Sequence, residues 1–334
     1  MCQYSAEDGV PNQWHLVHLG TRAVGGAGMV MSEAAAVNPE GRISPGDVGI
    51  WNDEQVEAWK PITDFITENG SVPCIQFAHA GRKASRNRPW LGSGFVGSED
   101  GGWQPVGASA VPFDDEWATP EELSESDIDD LVDDWRAAAK RSLEAGFKVV
   151  ELHFAHGYLG HTFLSPLSNH REDTYGGNSD NRARFPLRIV DAVREVWPEH
   201  LPLMVRISTT DWVKGSGWDV PDAVEFSKSL KEHGVDLVDC SSGGVSPHQQ
   251  MDLRPGYQVP FADAVRSGAE VPTGAVGLIT EATHAEEVLT SGKADVIFLA
   301  RELLRNPYWP LHAAIELGDD VEWPPQYVRS KPGL

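Results

Sequence analysis

The segment HFAHGY, residues 153–158, sets two imidazoles and a phenol within six consecutive positions. Paired histidines at a strand end are a common metal-ligand arrangement. No Asp, Glu or Cys cluster stands ready in the sequence to complete a coordination shell around them. A second chemistry uses the same groups differently. N–H donors on His153 and His156 can hold one carbonyl or nitro oxygen as it gains negative charge, and the Tyr158 phenol can deliver a proton. An unperturbed tyrosine, with a pKa of about 10, keeps that proton at neutral pH.

Two further stretches suit an anion. AVGLIT (275–280) and LARELL (299–304) are small-residue turns that enter a helix, and the second adds Arg301. Backbone N–H groups at helix N-termini bind phosphate well, although either turn alone also reads as a plain connection. Other chemistry-bearing side chains are scattered: Cys2 and Tyr4, then Gln76, His79, Arg82 and Lys83, then Arg206, then Ser241, Ser242 and Gly243, then Gly277.

The elements that must position these residues explain their spacing. Strand-like runs lie at 28–33, 72–78, 148–154, 201–207, 235–240, 272–277 and 294–300. Helical patterns lie between them, at 15–25, 53–69, 124–145, 180–197, 220–233 and 281–291, with another at 307–317. Ser124 with Asp127, and Thr280 with Thr283, resemble helix starts. Gly70, Gly146, Gly234 and Gly292 sit where helices should stop. Repeated β-then-α units with near-continuous apolar strands predict an α/β fold with a parallel sheet, specifically a (β/α)8 TIM barrel, whose sites gather at the C-terminal strand ends. The residues named above fall near the C-terminal end of a strand-like run or just past it, and Cys2 and Tyr4 would follow a strand upstream of residue 1. Seven strands are countable where a barrel needs eight, and MCQYSA reads as the exit loop of a strand. The expectation is therefore a first barrel strand missing upstream of residue 1. Residues 84–123 are Gly-, Trp- and Ser-rich without a period, and are expected as a long loop or lid on the catalytic face.

Composition narrows the function classes. The 334 residues are 40% hydrophobic, enough for a sizeable core, and no linker divides 1–334, so one domain is expected. Fifty acidic against 27 basic residues give a formal charge of −23. Such a field repels phosphate backbones, which argues against nucleic acid and anionic membranes as partners. No apolar run approaches the ~20 residues of a membrane span. Three cysteines, Cys2, Cys74 and Cys240, occur without a CxxC pair. That indicates neither a disulfide framework nor a zinc knuckle and fits a cytoplasmic setting; no metal is expected.

The chain resembles the old yellow enzyme family, in the bacterial branch that includes the xenobiotic reductases. The resemblance runs through MCQYSA (1–6), SEAAAVNPEGRIS (32–44), IQFAHAGRKA (75–84), ELHFAHGYL (151–159), FLSPLSNHREDTYGGNSDNRARF (163–185), TGAVGLIT (273–280) and IFLARELLRNPYW (297–309). It implies an FMN-dependent ene-reductase that takes NADPH or NADH as co-substrate and reduces electrophilic alkenes by ping-pong hydride transfer. It implies FMN contacts at Cys2, Ala34, Gln76, Arg206, Ser242, Gly243, Gly277, Ala300 and Arg301. It implies His153 and His156 on the substrate's activating oxygen, Tyr158 as proton donor and Tyr4 as a second phenol over the flavin, with Lys83 as a further substrate-side group. The Arg171–Phe185 signature is expected to be structural.

The tail, 319–334, carries Pro324 and Pro325 and is expected to be extended. In this branch such a tail crosses a homodimer or homotetramer, and the resemblance then implies that Arg329 lines a neighbouring subunit's substrate pocket. Two other classes stay open on the residues alone: a metal-dependent hydrolase or aldolase on the same barrel, and a non-catalytic flavin-binding protein.

Overall fold

Side-chain alternation organises the molecule, whose computed structural model describes residues 1–92 and 94–333. In chain order the elements are α1 (Gln13–Val24), β1 (Met29–Ala36), α2 (Asp53–Glu68), β2 (Val72–Ala78), β3 (Val106–Gly107), β4 (Glu121–Glu122), α3 (Glu125–Glu144) and β5 (Val149–Phe154). There follow α4 (Leu159–Leu164), α5 (Ser179–Arg194), β6 (Leu203–Ser208), α6 (Val220–Glu232), β7 (Leu237–Ser241), α7 (Val259–Ala269), β8 (Thr273–Ala275), α8 (Ala282–Thr290), β9 (Val296–Ile297), α9 (Arg301–Arg305) and α10 (Trp309–Leu317). Seven strands form one sheet in the order β1-β2-β5-β6-β7-β8-β9, every pairing parallel.

Alternate residues of each strand face opposite sides. On β5, Val150, Leu152 and Phe154 face outward and are fully buried under the helices. Trp135 of α3 packs edge-on against Phe77 of β2, with ring centroids 6.2 Å apart, and tilted against Phe154 at 5.7 Å. Facing inward, Cys74, Val149 and Met204 form a small apolar floor that also receives Met29, Met31, Leu237 and Phe298. Side chains from β1, from the middle strands and from just past β9 meet in that one cluster, so the sheet curls around it. One step further along the strands the inward residues are polar: Gln76, Glu151, Arg206 and Asp239. The next step brings His153, Ser208 and Ser241 to the C-terminal rim.

Local signals account for most boundaries. Ser124 caps α3 by accepting from the Asp127 amide while Asp127 returns the bond, a full capping box. Glycines 70, 146, 234 and 292 follow their helices with positive φ. Three expectations need correction. The strand expected at 28–33 runs on to Ala36, because its alanines pair with Gln76, Phe77 and Ala78 past a register shift. The strand expected at 294–300 shrinks to Val296–Ile297: the bond from Phe298 N to Ala275 O ends the ladder before the chain turns into α9. Thr280 does not cap α8; the N-cap is Glu281, without a side-chain cap bond, and the Thr280 carbonyl accepts from the Trp309 indole at 2.7 Å. The 84–123 segment is long and irregular, broken by two single turns and the β3–β4 pair. The tail after α10 holds one single turn, Val328–Ser330, and Lys331 folds back onto Asp320.

Candidate active site

The loop that leaves β5 carries the densest chemistry. His153 Nδ1 accepts from the Ala155 amide at 3.1 Å, which leaves the ring proton on Nε2. That nitrogen lies 3.2 Å from His156 Nδ1, and His156 Nε2 lies 2.7 Å from Ser241 Oγ. The network therefore sets a single direction of donation: Ala155 N–H to His153, His153 to His156, His156 to Ser241. Burial pushes both imidazoles well below their usual pKa, helped for His153 by the Arg206 charge and for His156 by His153 and Arg206, so both are neutral donors. The Tyr158 ring stands edge-on to His153 with centroids 4.9 Å apart. Burial raises its phenol well above pKa 10, so it keeps its proton.

This loop is held from several sides. His156 has φ +60, an uncommon left-handed conformation for a non-glycine residue. It lies against the backbone at Gly244: a Cβ on Gly244 would stand 2.5 Å from His156 Cα, and one on Gly157 would stand 2.3 Å from Gly244 O. Only glycines permit that approach. Lys83 Nζ donates to His156 O at 2.9 Å and to Gly244 O, tying the two loops together, and sits 4.1 Å from the Phe113 ring centre. Burial, with Arg82 nearby, lowers its pKa to about 7. His161 accepts the Gly157 amide on Nδ1 and donates Nε2–H to buried Asp211 at 2.9 Å. His79 caps its own turn through Gly81 N, and Arg82 donates to Val111 O, Pro112 O and Val245 O. Both support the loops.

The N-terminal segment brings Cys2 and Tyr4 to the mouth. Tyr4 adopts φ +51, and its ring meets Trp90 of the long loop edge-on at 6.0 Å. The Gln3 amide donates to Glu33 Oε2 at 2.7 Å, and Glu33 Oε1 lies 3.2 Å from His15 Nε2. Burial, with Asp47 and Glu33 near, raises the Cys2 thiol pKa, so it is not an ionised nucleophile.

Under the rim lies the polar layer. Gln76 Nε2 donates to Glu151 Oε2 at 2.5 Å, and Arg206 Nη1 stands 3.3 Å from Asp239 Oδ2. Arg206 Nε is buried with no hydrogen-bond partner. Ala34 is buried beside Gln76 in the β1–β2 register. On the other side, Ser242 Oγ donates to Gln258 Oε1 at 2.6 Å, and Gln258 Nε2 donates to Val276 O, joining the β7 and β8 exits. Gly243 has φ +72 and Gly277 φ +122. Gly277, Leu278, Thr280, Ala300, Arg301 and Arg305 line one cleft beyond β8 and β9. Arg329 is exposed on the tail's single turn, where Tyr327 packs near Tyr308 at 6.1 Å. Among the described residues, it is not joined to the other candidates by a hydrogen bond or ion pair.

The sequence reading had no role for Glu151, Asp239, Gln258, Glu33 or the His161–Asp211 pair. A signal existed for the first two: Glu151 stands two residues before His153, on the same strand face, and Asp239 two before Ser241. The Arg171 signature is structural in its contacts, with Arg171 bridging Asp173, Ala108 O and Leu123 O. Among the described residues no three His, Cys, Asp or Glu side chains form a metal-binding group, and no helix is long and apolar enough to cross a membrane.

Comparison with known proteins gives the chain a family and a set of related folds. The NADH:flavin oxidoreductase / NADH oxidase family matches residues 1–320. An NADPH dehydrogenase of Bacillus cytotoxicus is 50% identical over 332 residues, covering 99% of this chain and 90% of that protein. The old yellow enzyme homologue of Zymomonas mobilis is 27% identical with a TM-score of 0.78, covering 100% of this chain and 94% of that one. Morphinone reductase in complex with tetrahydroNAD is also 27% identical with a TM-score of 0.78, over 98% of this chain and 87% of that one.

Proposed function

The chain belongs to the NADH:flavin oxidoreductase / NADH oxidase family, and on that premise we propose that it is an FMN-dependent NAD(P)H oxidoreductase that reduces activated C=C bonds of enones, enals, maleimides or nitroalkenes. The observation that carries this reading is the rim trio: two neutral imidazoles and a protonated phenol converge at one strand end, directly above a row of buried polar groups. We read the curled sheet as seven of the eight strands of a (β/α)8 barrel, which puts that trio on the face barrels use for chemistry. The single domain, with 84–123 as its lid, belongs to the same reading.

The residues fit FMN on their chemistry. Arg206 offers a cationic fork with an orphaned Nε–H, and the β8–β9 cleft carries Arg301 and Arg305 beside the open backbone of Gly277. Gln76, Arg206, Cys2 and Ala34 would meet the ring system. Ser242, Gly243, Gly277, Ala300 and Arg301 would hold the ribityl phosphate arm. FMN, when bound, supplies the hydride acceptor and donor between NAD(P)H and the alkene. His153 and His156 turn their N–H groups from each other and from Ser241 to the substrate's activating oxygen. Their neutral state spares the site two extra cations, and Arg206 supplies the fixed positive charge. Tyr158 gives its proton to the α-carbon, and Tyr4 closes the pocket opposite. Lys83 acts through the loop it ties down. NAD(P)H and alkene occupy one site in turn, which makes the kinetics ping-pong.

The test is stopped-flow absorption on the purified protein. NAD(P)H bleaches the flavin band in one phase and a nitroalkene or maleimide restores it in a second. Absence of a flavin band, or no reoxidation by any of the four substrate classes, rejects the reading. We further infer a homodimer or homotetramer in which Arg329 enters a neighbour's pocket, since the exposed tail presents Tyr327 and Arg329, types common in interface hot spots. Truncation before Gln326 then raises substrate KM and loosens the oligomer. Unchanged KM and unchanged mass by light scattering dismiss the shared arginine.

A further inference from the structure

Glu151 and Asp239 are fully buried inside the curled sheet, and the rim chemistry uses neither. They face a single cation. The groups around Glu151 are Cys74 and Gln76 on β2, Met204 and Arg206 on β6, Asp239 on β7 and His153 on its own strand. His153 is neutral, and burial keeps the Cys74 thiol neutral as well. Two carboxylates against one guanidinium leave one uncompensated negative charge among side chains screened from solvent by the fold, and buried groups avoid that state by holding a proton. Contact geometry divides the roles: Asp239 stands 3.3 Å from Arg206, while Glu151 touches only the neutral amide of Gln76, at 2.5 Å.

We propose that Glu151 and Asp239 hold one proton between them at neutral pH, that Glu151 carries it, and that Glu151 is thereby a neutral positioning residue for Gln76 beside the Arg206–Asp239 pair. The Glu151 acidity agrees: burial and then the Asp239 charge push its pKa up to about 8. Asp239 is also raised by burial, but Arg206 pulls it back. The layer is then electrically balanced at pH 7. Above the Glu151 pKa it becomes net negative, directly under the rim. That consequence for catalysis rests on the flavin reading, whereas the shared proton does not.

Infrared spectroscopy of the purified holoprotein tests the proton. At pH 7 a protonated carboxyl C=O stretch is expected above the amide I band, shifted by carboxyl-13C glutamate and lost as pH passes about 8. The glutamate label matters because Asp47 is another buried acid whose pKa burial and Glu33 raise, and the label separates Glu151 from any aspartic acid signal. Glu151→Gln removes the glutamate band. Asp239→Asn removes it too, because Glu151 then ionises as the only counter-charge to Arg206. The labelled wild type needs no variant, so the proposal can be checked even if either substitution unfolds the protein. A glutamate band missing at pH 7, surviving Glu151→Gln, or untouched by Asp239→Asn overturns the proposal. The flavin reduction potential supplies a second readout: the wild type shows an additional break near that same pH, and Glu151→Gln does not. The expected band behaviour with no break in either protein upholds the shared proton and sinks the flavin reading of Arg206.

Discussion

The two faces of one sheet are built for opposite purposes. Between sheet and helices, β5 presents Val150, Leu152 and Phe154 to a shell that contains Trp59, Trp135, Phe147 and Phe163, all essentially without exposure. Inside the curl, the same strand presents Val149, Glu151 and His153: one apolar floor residue, one acid and one imidazole. The outer face gains from close packing of large side chains, where each methylene counts. The inner face gives up apolar burial to hold polar groups whose protonation states are set by desolvation. Stability and chemistry are thus separated by the two-residue period of the strand, not by distance along the chain.

The sharpest way to break this comparison is to exchange the effects. Trp135→Ala should destabilise the protein by about 3–5 kcal/mol, as large-to-small changes in aromatic cores do, while the protein that remains folded keeps its ratio of alkene reduction to NAD(P)H oxidation. Thermal melts with paired stopped-flow traces read both, and a shifted ratio would show that the shell shapes the site. Tyr158→Phe should do the reverse, slowing the alkene half-reaction by about 10²–10⁴, the usual weight of a positioned proton donor. The NAD(P)H half should hold its rate and the melting temperature should barely move; equal slowing of both halves would remove Tyr158 from the donor role. The smallest effect per group belongs to the histidines. His153→Ala and His156→Ala should each weaken a phenolic ligand by about 1.5–3 kcal/mol, the worth of a hydrogen bond to a charged oxygen. Titration followed by absorption checks this, and undiminished affinity in the double variant would exclude the pair from the site. Acidity adds a sign. Both imidazole pKa values lie well below the usual value because burial disfavours the cation. Neither ring therefore charges as pH falls from 8 to 6, and ligand affinity in the wild type should show no histidine step there.

The outer face was legible in the sequence and the inner face only in part. VPCIQFA and KVVELHF read as buried strands because apolar side chains dominate them, and Ser124 with Asp127 marked the start of α3. HFAHGY was legible because its chemistry lies just past the strand, where no packing demand explains it. Glu151 and Asp239 were hidden inside runs that look continuously apolar; only a strict count of alternate positions sets them beside His153 and Ser241. Gln258 and the His161–Asp211 pair were out of reach for another reason. Their partners are distant in sequence, so nothing local signals that one amide joins two strand exits or that one buried, hydrogen-bonded His–Asp pair holds a loop amide. The length of β1 was misjudged because SEAAA carries the residues of a helix, and pairing with β2 overrode that propensity.

If the proposed function holds, the chain of donation from Ala155 through His153 and His156 to Ser241 also bears on which molecules the pocket would pass over. Within the chain every N–H of this series has an acceptor, so turning the imidazoles outward frees two donors at once. A carbonyl or nitro oxygen brings two lone pairs to one point and can take both. A nitrile nitrogen, with one lone pair along its axis, can take only one, and an unactivated alkene takes none. On the proposed function these hydrogen bonds would act as a threshold on acceptor valence, a selection by functional group that precedes any question of size or shape.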